Sequence, residues 1–248
     1  MPNQKIQSPF FRARGNEGWT VAAHHIQIPI LVARCLITTD LILDSRLALF
    51  HRSERWLAVA DLHYGYEISQ RQRGYLFPFW GMQTIEDRLR ELVRDYEPAS
   101  LILVGDIVHS GVVESEAMRF LADLARLGPD LFLVRGNHDR GLRQLNLQNS
   151  IVVGSYLFHH GHFLADCDPN TVQIVGHFHS SWMFADGAGN RLRLPALVRV
   201  DNQIVLPAFS PWAAGGRLML QTPAELWVCS KSRVFRVPGE TKTMTNDR

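Results

Sequence analysis

Five times along this 248-residue chain an apolar run stops and oxygen- or nitrogen-bearing side chains follow at once. The segments are "VADLH" (59–63), "LILVGD" (101–106), "LVRGNHD" (133–139), "YLFHHGH" (156–162) and "IVGHFH" (174–179). Short runs rich in Val, Ile and Leu read as buried strands. In open α/β sheets the ligand crevice lies beyond the carboxyl ends of the strands, so five neighbouring strands of this kind would deliver their polar groups to one place. Turn chemistry accounts for the Gly, Asn and Asp residues. It gives no reason for His to recur at four of the five ends.

The spacing sharpens the reading. Asp61 and His63 stand two apart, as do His177 and His179, and strand alternation would put each pair on one face. Around these segments the pattern alternates. "MQTIEDRLRELVRDYEP" carries apolar residues at Ile85, Leu89, Leu92, Val93 and Tyr96, which is helical spacing, with Pro98 just beyond. "ESEAMRFLADLARLG" reads as a second helix stopped by Gly128 and Pro129. From residue 150 onward strand signals dominate, through "SIVV", "RLRLPALVRV", "QIVLPAF", "ELWVCS" and "RVFRV". Alternating strands and helices followed by strand runs predict an α/β fold of two packed sheets with helices outside. We expect a flexible arm over residues 1–25, a single domain over 26–238 and a frayed tail over 239–248.

Bulk properties narrow the setting. The formal net charge of +2 does not by itself call for a nucleic-acid partner. Cys35, Cys167 and Cys229 show no metal-binding spacing and suit a reducing cytoplasm. The opening residues lack a secretion-signal layout, and "IPILVARCLI" is too short to span a bilayer and contains Arg34. A cytoplasmic protein with no membrane partner is the expectation.

Carboxylate, amide and imidazole donors without thiolate suit Mn2+, Fe2+ or Zn2+. There are too many for one ion. Two ions about 3.5–4 Å apart, sharing a carboxylate, would absorb them, activate a water and clamp the oxygens of a phosphate ester. A His beside the ions but not bound to them would protonate the leaving oxygen, with a carboxylate fixing its tautomer. His138 followed by Asp139 fits that description.

In this order, D-x-H, GD, GNH[DE], a His ahead of Gly and GHxH, spanning Leu57 to Ser180, resemble the calcineurin-like metallophosphoesterase superfamily. The resemblance implies a four-layer α/β/β/α sandwich, two mixed sheets flanked by helices, with a dimetal centre at the strand ends. By position it implies Asp61, His63 and His179 for the first metal, Asp106 as the bridging carboxylate, and Asn137, His160 and His177 for the second. His138 resembles the non-ligand catalytic His that acts as general acid, and Asp139 the acidic residue after it. Two departures stand out. His109 occupies the place where many members carry a second Asp, and we read it as supporting the site or facing phosphate. In "HHGH" the register leaves His159, His160 and His162 open as the ligand.

A narrower likeness covers "DLHYGYEISQRQRG", "GDIVHS", "VRGNHDRG", "GHFHS" and "LRLPALVRVDNQIVLPAFSPWAAGG". These are similar to the bacterial DNA ligase-associated metallophosphoesterases. That implies a phosphodiesterase or endonuclease acting on single-stranded or flexible DNA, with ligase and helicase repair proteins as partners; of the ions the donors suit, Mn2+ is the one expected, with Fe2+ or Zn2+ as alternatives. Arg71 and Arg73, followed by Tyr75, Phe77, Phe79 and Trp80, suit a strand of phosphates and unstacked bases. Arg135 and Arg140 flank the GNHD turn, and Arg140 is a further candidate phosphate contact. The alternative within enzymes is a small-molecule phosphoesterase or pyrophosphatase acting on a nucleotide or lipid-linked substrate.

Overall fold

The computed structural model describes residues 33–237, apart from 113, 164, 186, 214 and 217–223. The expected arm over 1–25 and tail over 239–248 lie outside the described residues.

Two mixed sheets organise the chain. The first contains β1 (Arg34–Leu36), β2 (Leu41–Asp44), β3 (Ala48–His51), β4 (Trp56–Ala60), β5 (Ser100–Val104) and β6 (Asp130–Val134), in that spatial order. The first four are joined antiparallel by short turns. β4, β5 and β6 then run parallel, in unbroken register from Trp56 opposite Ser100 and Ser100 opposite Asp130. Parallel neighbours need crossovers, which are usually helical. Here α1 (Tyr66–Gln72) and α2 (Gly81–Tyr96) link β4 to β5, and α3 (Glu114–Ala125) links β5 to β6.

The second sheet is built from β7 (Ser150–Val153), β8 (Tyr156–His159), β9 (Val172–Val175), β10 (Ser181–Ala185), β11 (Arg191–Val200), β12 (Gln203–Val205), β13 (Glu225–Cys229) and β14 (Val234–Arg236). Its order is β14-β13-β11-β12-β9-β8-β7, with β10 paired to β11. Its centre, β8-β9-β12, is again parallel.

Alternation sorts the second sheet's side chains onto two faces. Ile174, Leu197, Ile204 and Trp227 join the first sheet's residues in one continuous core. Val175, Ala196, Val198, Val205, Leu226 and Val228 form a separate cluster. The sheets meet where Trp56 of β4 packs edge-on against Tyr156 and Phe158 of β8, with ring centroids 5.2 and 5.1 Å apart. α2 buries Ile85, Leu89, Leu92, Val93 and Tyr96, the residues its sequence period selects. Each fully buried Leu or Ile side chain contributes roughly 1.5–3 kcal/mol. α3 buries Ala117, Phe120, Leu121 and Leu124, and Phe120 stacks on Tyr64 at 4.0 Å.

The two mixed sheets and the helical crossovers agree with the expected α/β class. All α-helices among the described residues fall between Tyr66 and Ala125. None is long and apolar enough to cross a membrane. Two elements had no sequence signal. α1 buries only Glu67 and Ser69, so it has no apolar period, and β10 is only part-buried on one margin of β11. The consequence for the site is direct: β4, β5 and β6 end side by side, as do β8 and β9, and an isolated pairing of Ala60 with Ala208 brings the chain after β12 alongside the end of β4.

Candidate metal centre

The polar clusters begin where the strands stop. β4 ends at Ala60, and Asp61 and His63 follow with positive φ of 53° and 45°. β5 ends at Val104, and Asp106 has φ 45°. β9 ends at Val175, and His177 and His179 have φ 71° and 46°. Of nine described non-glycine residues with positive φ, these are five. Such backbone costs on the order of 1–3 kcal/mol per residue and persists only where the surroundings enforce it. The expected same-face placement of Asp61 with His63, and of His177 with His179, therefore has a different origin. The strands end first, and left-handed turns bring the side chains together.

The glycines in the motifs leave room for this. A Cβ on Gly136 would lie 2.1 Å from the Asp106 backbone nitrogen and 2.2 Å from its Oδ1. On Gly105 it would meet the His160 ring at 2.1 Å, and on Gly176 it would meet Asp61 Oδ2 at 2.8 Å. Each glycine thus lies under a donor contributed by a different strand end. Backbone N–H groups fix the carboxylates. His138 N–H donates to Asp106 Oδ1 at 2.9 Å, and His177 N–H donates to both Asp61 oxygens at 2.9 Å.

All seven residues expected as metal donors converge, in two groups. In one, His63 Nε2 lies 3.1 Å from His179 Nε2, which lies 3.8 Å from Asp61 Oδ1. In the other, His160 Nε2 lies 3.2 Å from both Asn137 Oδ1 and His177 Nδ1. Asp106 Oδ2 stands between the groups, 3.8 Å from His63 Nε2 and 3.4 Å from His160 Nε2. The three histidines of "HHGH" point in different directions. His160 points into the cluster, whereas His159 Nε2 bonds Gln173 Oε1 at 2.9 Å. His162 is exposed, its ring 5.1 Å from that of His160.

The electrostatics match a cation site. Burial raises the Asp61 carboxyl well above its usual range, and nearby Asp106 and Asp139 add to the rise. Burial also pushes Asp106 up to about 6. Burial lowers His63 to about 2 and His160 to about 3, helped in each case by neighbouring imidazoles, and it lowers His177 and His179 as well. Neutral imidazoles are the form that binds metal. No Lys or Arg stands in an ion pair with Asp61 or Asp106 among the described residues; the nearest partners of both are histidines. Two buried carboxylates with imidazoles and an amide, and no basic side chain to balance them, are a donor set that a pair of divalent cations completes.

His138 borders this cluster, its Nε2 4.0 Å from Asp106 Oδ2. Its Nδ1 lies 3.0 Å from Ser110 Oγ. This corrects the expected pairing with Asp139. That carboxylate is buried and accepts N–H groups from Val108 at 3.1 Å and Gly136 at 2.8 Å, so it braces the loops rather than the ring. His109 stacks on His138 with centroids 5.1 Å apart and meets His63 edge-on at 5.6 Å. Burial lowers it to about 4, with His138 and Arg73 adding to the effect. The donor atoms of His63, His109 and His138 also lie within 4.8 Å of one another.

The basic candidates are exposed and pair with none of the cluster's carboxylates. Arg71 is exposed and lies over the Phe79 ring at 4.0 Å. Arg73 is exposed and close enough to His109 to depress it. Arg140 is exposed and acts on His162 in the same way. Sequence reasoning missed Ser110 and Trp212. Trp212 lies against Tyr66, Phe77 and Trp80, and its signal was an aromatic in the "SPW" turn just after the chain passes Asp61.

Residues 55–212 match the family model for calcineurin-like phosphoesterases. No curated protein matches the chain. Among solved structures, a nuclease MPE from Pseudomonas putida aligns with a TM-score of 0.62 and 22% identity, covering 83% of this chain and 100% of that one. The phosphoesterase Yfce from E. coli aligns with a TM-score of 0.42 and 16% identity, covering 73% of this chain and 97% of that one.

Proposed function

The chain belongs to the calcineurin-like phosphoesterase family, and from that premise we propose that it is a metal-dependent phosphodiesterase acting on DNA, an endonuclease for single-stranded or flexible regions. The observation that supports the reading is the position of Asp106 Oδ2 between two donor groups, with His138 Nε2 4.0 Å from it. A nuclease with the same fold is compatible with this, but fold alone does not carry function.

Asp61, His63 and His179 would hold one cation, Asn137, His160 and His177 the other, and Asp106 would face both. Bound there, two divalent ions supply Lewis acidity, lowering the pKa of water and neutralising phosphate oxygens. The remaining work falls to the chain. His138 Nδ1 stays hydrogen-bonded with Ser110 Oγ, and Nε2 hands its proton to the leaving oxygen. Gly136 and the His138 N–H keep Asp106 Oδ1 in place, so that Oδ2 alone is presented. Arg71, Arg73 and Arg140 meet the phosphates that flank the scissile one.

Mn2+ is the ion we favour, and Fe2+ or Zn2+ suit the same donors. The reading carries with it a cytoplasmic setting and DNA ligase and helicase repair proteins as partners. It is tested with purified protein on circular single-stranded DNA beside a panel of nucleotides and pyrophosphates, with several divalent metals and with EDTA. Metal-dependent nicking is the expected result. Turnover of a small ester or pyrophosphate with no nicking would overturn it in favour of a small-molecule hydrolase.

A further inference from the structure

The link between α1 and α2, residues 73–80, presents Tyr75, Leu76, Phe79 and Trp80 at 62, 100, 55 and 48% exposure. A contiguous exposed apolar surface marks a binding site more often than an idle loop. This one is firmly based. Glu67 of α1 is fully buried, and its Oε1 accepts the Met82 N–H of α2 at 2.7 Å. Gly81 packs so closely that a Cβ there would lie 2.1 Å from the Trp212 indole nitrogen. Both ends of the link are therefore tied to one buried carboxylate and one indole.

One of these exposed rings, Trp80, also connects to the metal centre through ring contacts. His138 stacks on His109, and His109 meets Tyr66 at 4.7 Å. Tyr66 meets Phe77 at 5.4 Å, Phe77 meets Trp212 at 4.6 Å, and Trp212 meets Trp80 at 4.2 Å. Rings thus line one path from the candidate acid to open solvent. Cations accompany them. Arg71 donates from Nε to the Phe77 carbonyl at 2.6 Å while its guanidinium covers Phe79, and Arg73 is exposed at the end of α1. Neither pairs with a carboxylate among the described residues, unlike Arg90, Arg119 and Arg126 on the helical surface.

We infer that residues 73–80 form a stacking platform for unpaired bases, holding a single-stranded nucleic acid whose backbone runs to the His/Asp centre. This rests on the phosphodiesterase reading above and adds the feature that selects strand over duplex. Flat faces interleaved with unpaired guanidinium groups suit bases and phosphates together, because every base offers a π-face and every linkage a negative charge. In a duplex those faces are already stacked. A purely aliphatic protein partner would need neither the rings nor the cations.

The test uses the full chain in EDTA, where binding is read without turnover. Oligo(dT) should quench tryptophan fluorescence, and duplex DNA of equal length should do so far less. Tyr75→Ala and Phe79→Ala should each weaken oligo(dT) binding about tenfold, the scale of a lost base–aromatic stack. Phe79→Leu, which keeps bulk and loses the ring face, should weaken it similarly, with thermal unfolding reporting that each variant is folded. Variants that bind oligo(dT) at wild-type strength while the wild type nicks DNA would overturn the platform alone. A wild type that neither binds nor nicks nucleic acid would remove the phosphodiesterase reading as well. A wild type that instead self-associates, and is made monomeric by Phe79→Ala, would reassign the surface to a protein partner.

Discussion

Ser110 holds His138: the hydroxyl oxygen of one stands 3.0 Å from Nδ1 of the other, on the loop that leaves Asp106. The bond leaves Nε2 turned toward Asp106. Ser110→Ala should therefore lower kcat about five- to tenfold, the scale of one hydrogen bond worth ~1 kcal/mol, with KM nearly unchanged. Ser110→Thr, which keeps the hydroxyl, should restore most of the loss. Steady-state kinetics on a DNA substrate separate the outcomes, and a change confined to KM would refute the positioning role.

Metal content distinguishes donors from the proton carrier. Asp106→Ala removes the carboxylate that both donor groups face, so bound metal and activity should fall together. His138→Ala should keep its metal and lose roughly 10²–10⁴ in turnover, the usual contribution of a general acid. Elemental analysis of the two purified variants decides this, and a metal-free His138→Ala would make that residue a ligand.

The centre should also be a stabilising element. Buried carboxylates without basic partners gain most from a cation that binds only the folded state. Mn2+ at about a hundredfold excess over its Kd should add ~2.7 kcal/mol. For a chain of this size that is a rise in Tm on the order of 5–10 °C. Calorimetry with EDTA and then with Mn2+ measures it, and the rise should be largely lost in Asp106→Ala.

Gly136→Ala is the sharpest steric probe. Its Cβ would lie 2.1 Å from backbone and 2.2 Å from the carboxylate of Asp106, neither of which is the far end of a flexible side chain. The expected cost is about 1–3 kcal/mol of stability, as for other forced overpacking, together with weakened Mn2+ binding. Unfolding in urea and a metal titration report the two effects separately. A variant with wild-type values in both would show that Asp106 does not depend on this close approach.

Much of the site could be read in the sequence because its grammar is local. An apolar run, a glycine and a donor follow one another at 104–106 and 175–177, and at 134–137 with only Arg135 between, so the residues that converge in space are also marked in the chain. What could not be read depended on direction or on distant contacts. His159 and His160 are neighbours, and only the way β8 ends against Gln173 and Gly105 tells which ring enters the cluster. Asp139 follows His138 directly yet serves the backbone of Gly136 and Val108, while the hydroxyl that serves the ring comes from the β5 end. α1 carries no apolar period because its buried residues are Glu67 and Ser69, and Glu67 ties down the start of the neighbouring helix.

The left-handed turns at Asp61, His63, Asp106, His177 and His179 have a consequence for protein engineering. Grafting the same side chains onto regular strands of another scaffold would scatter them, since no regular strand aims them at a common point. A faithful transplant has to carry the bent main chain and the three glycines beneath it, and only then the donors.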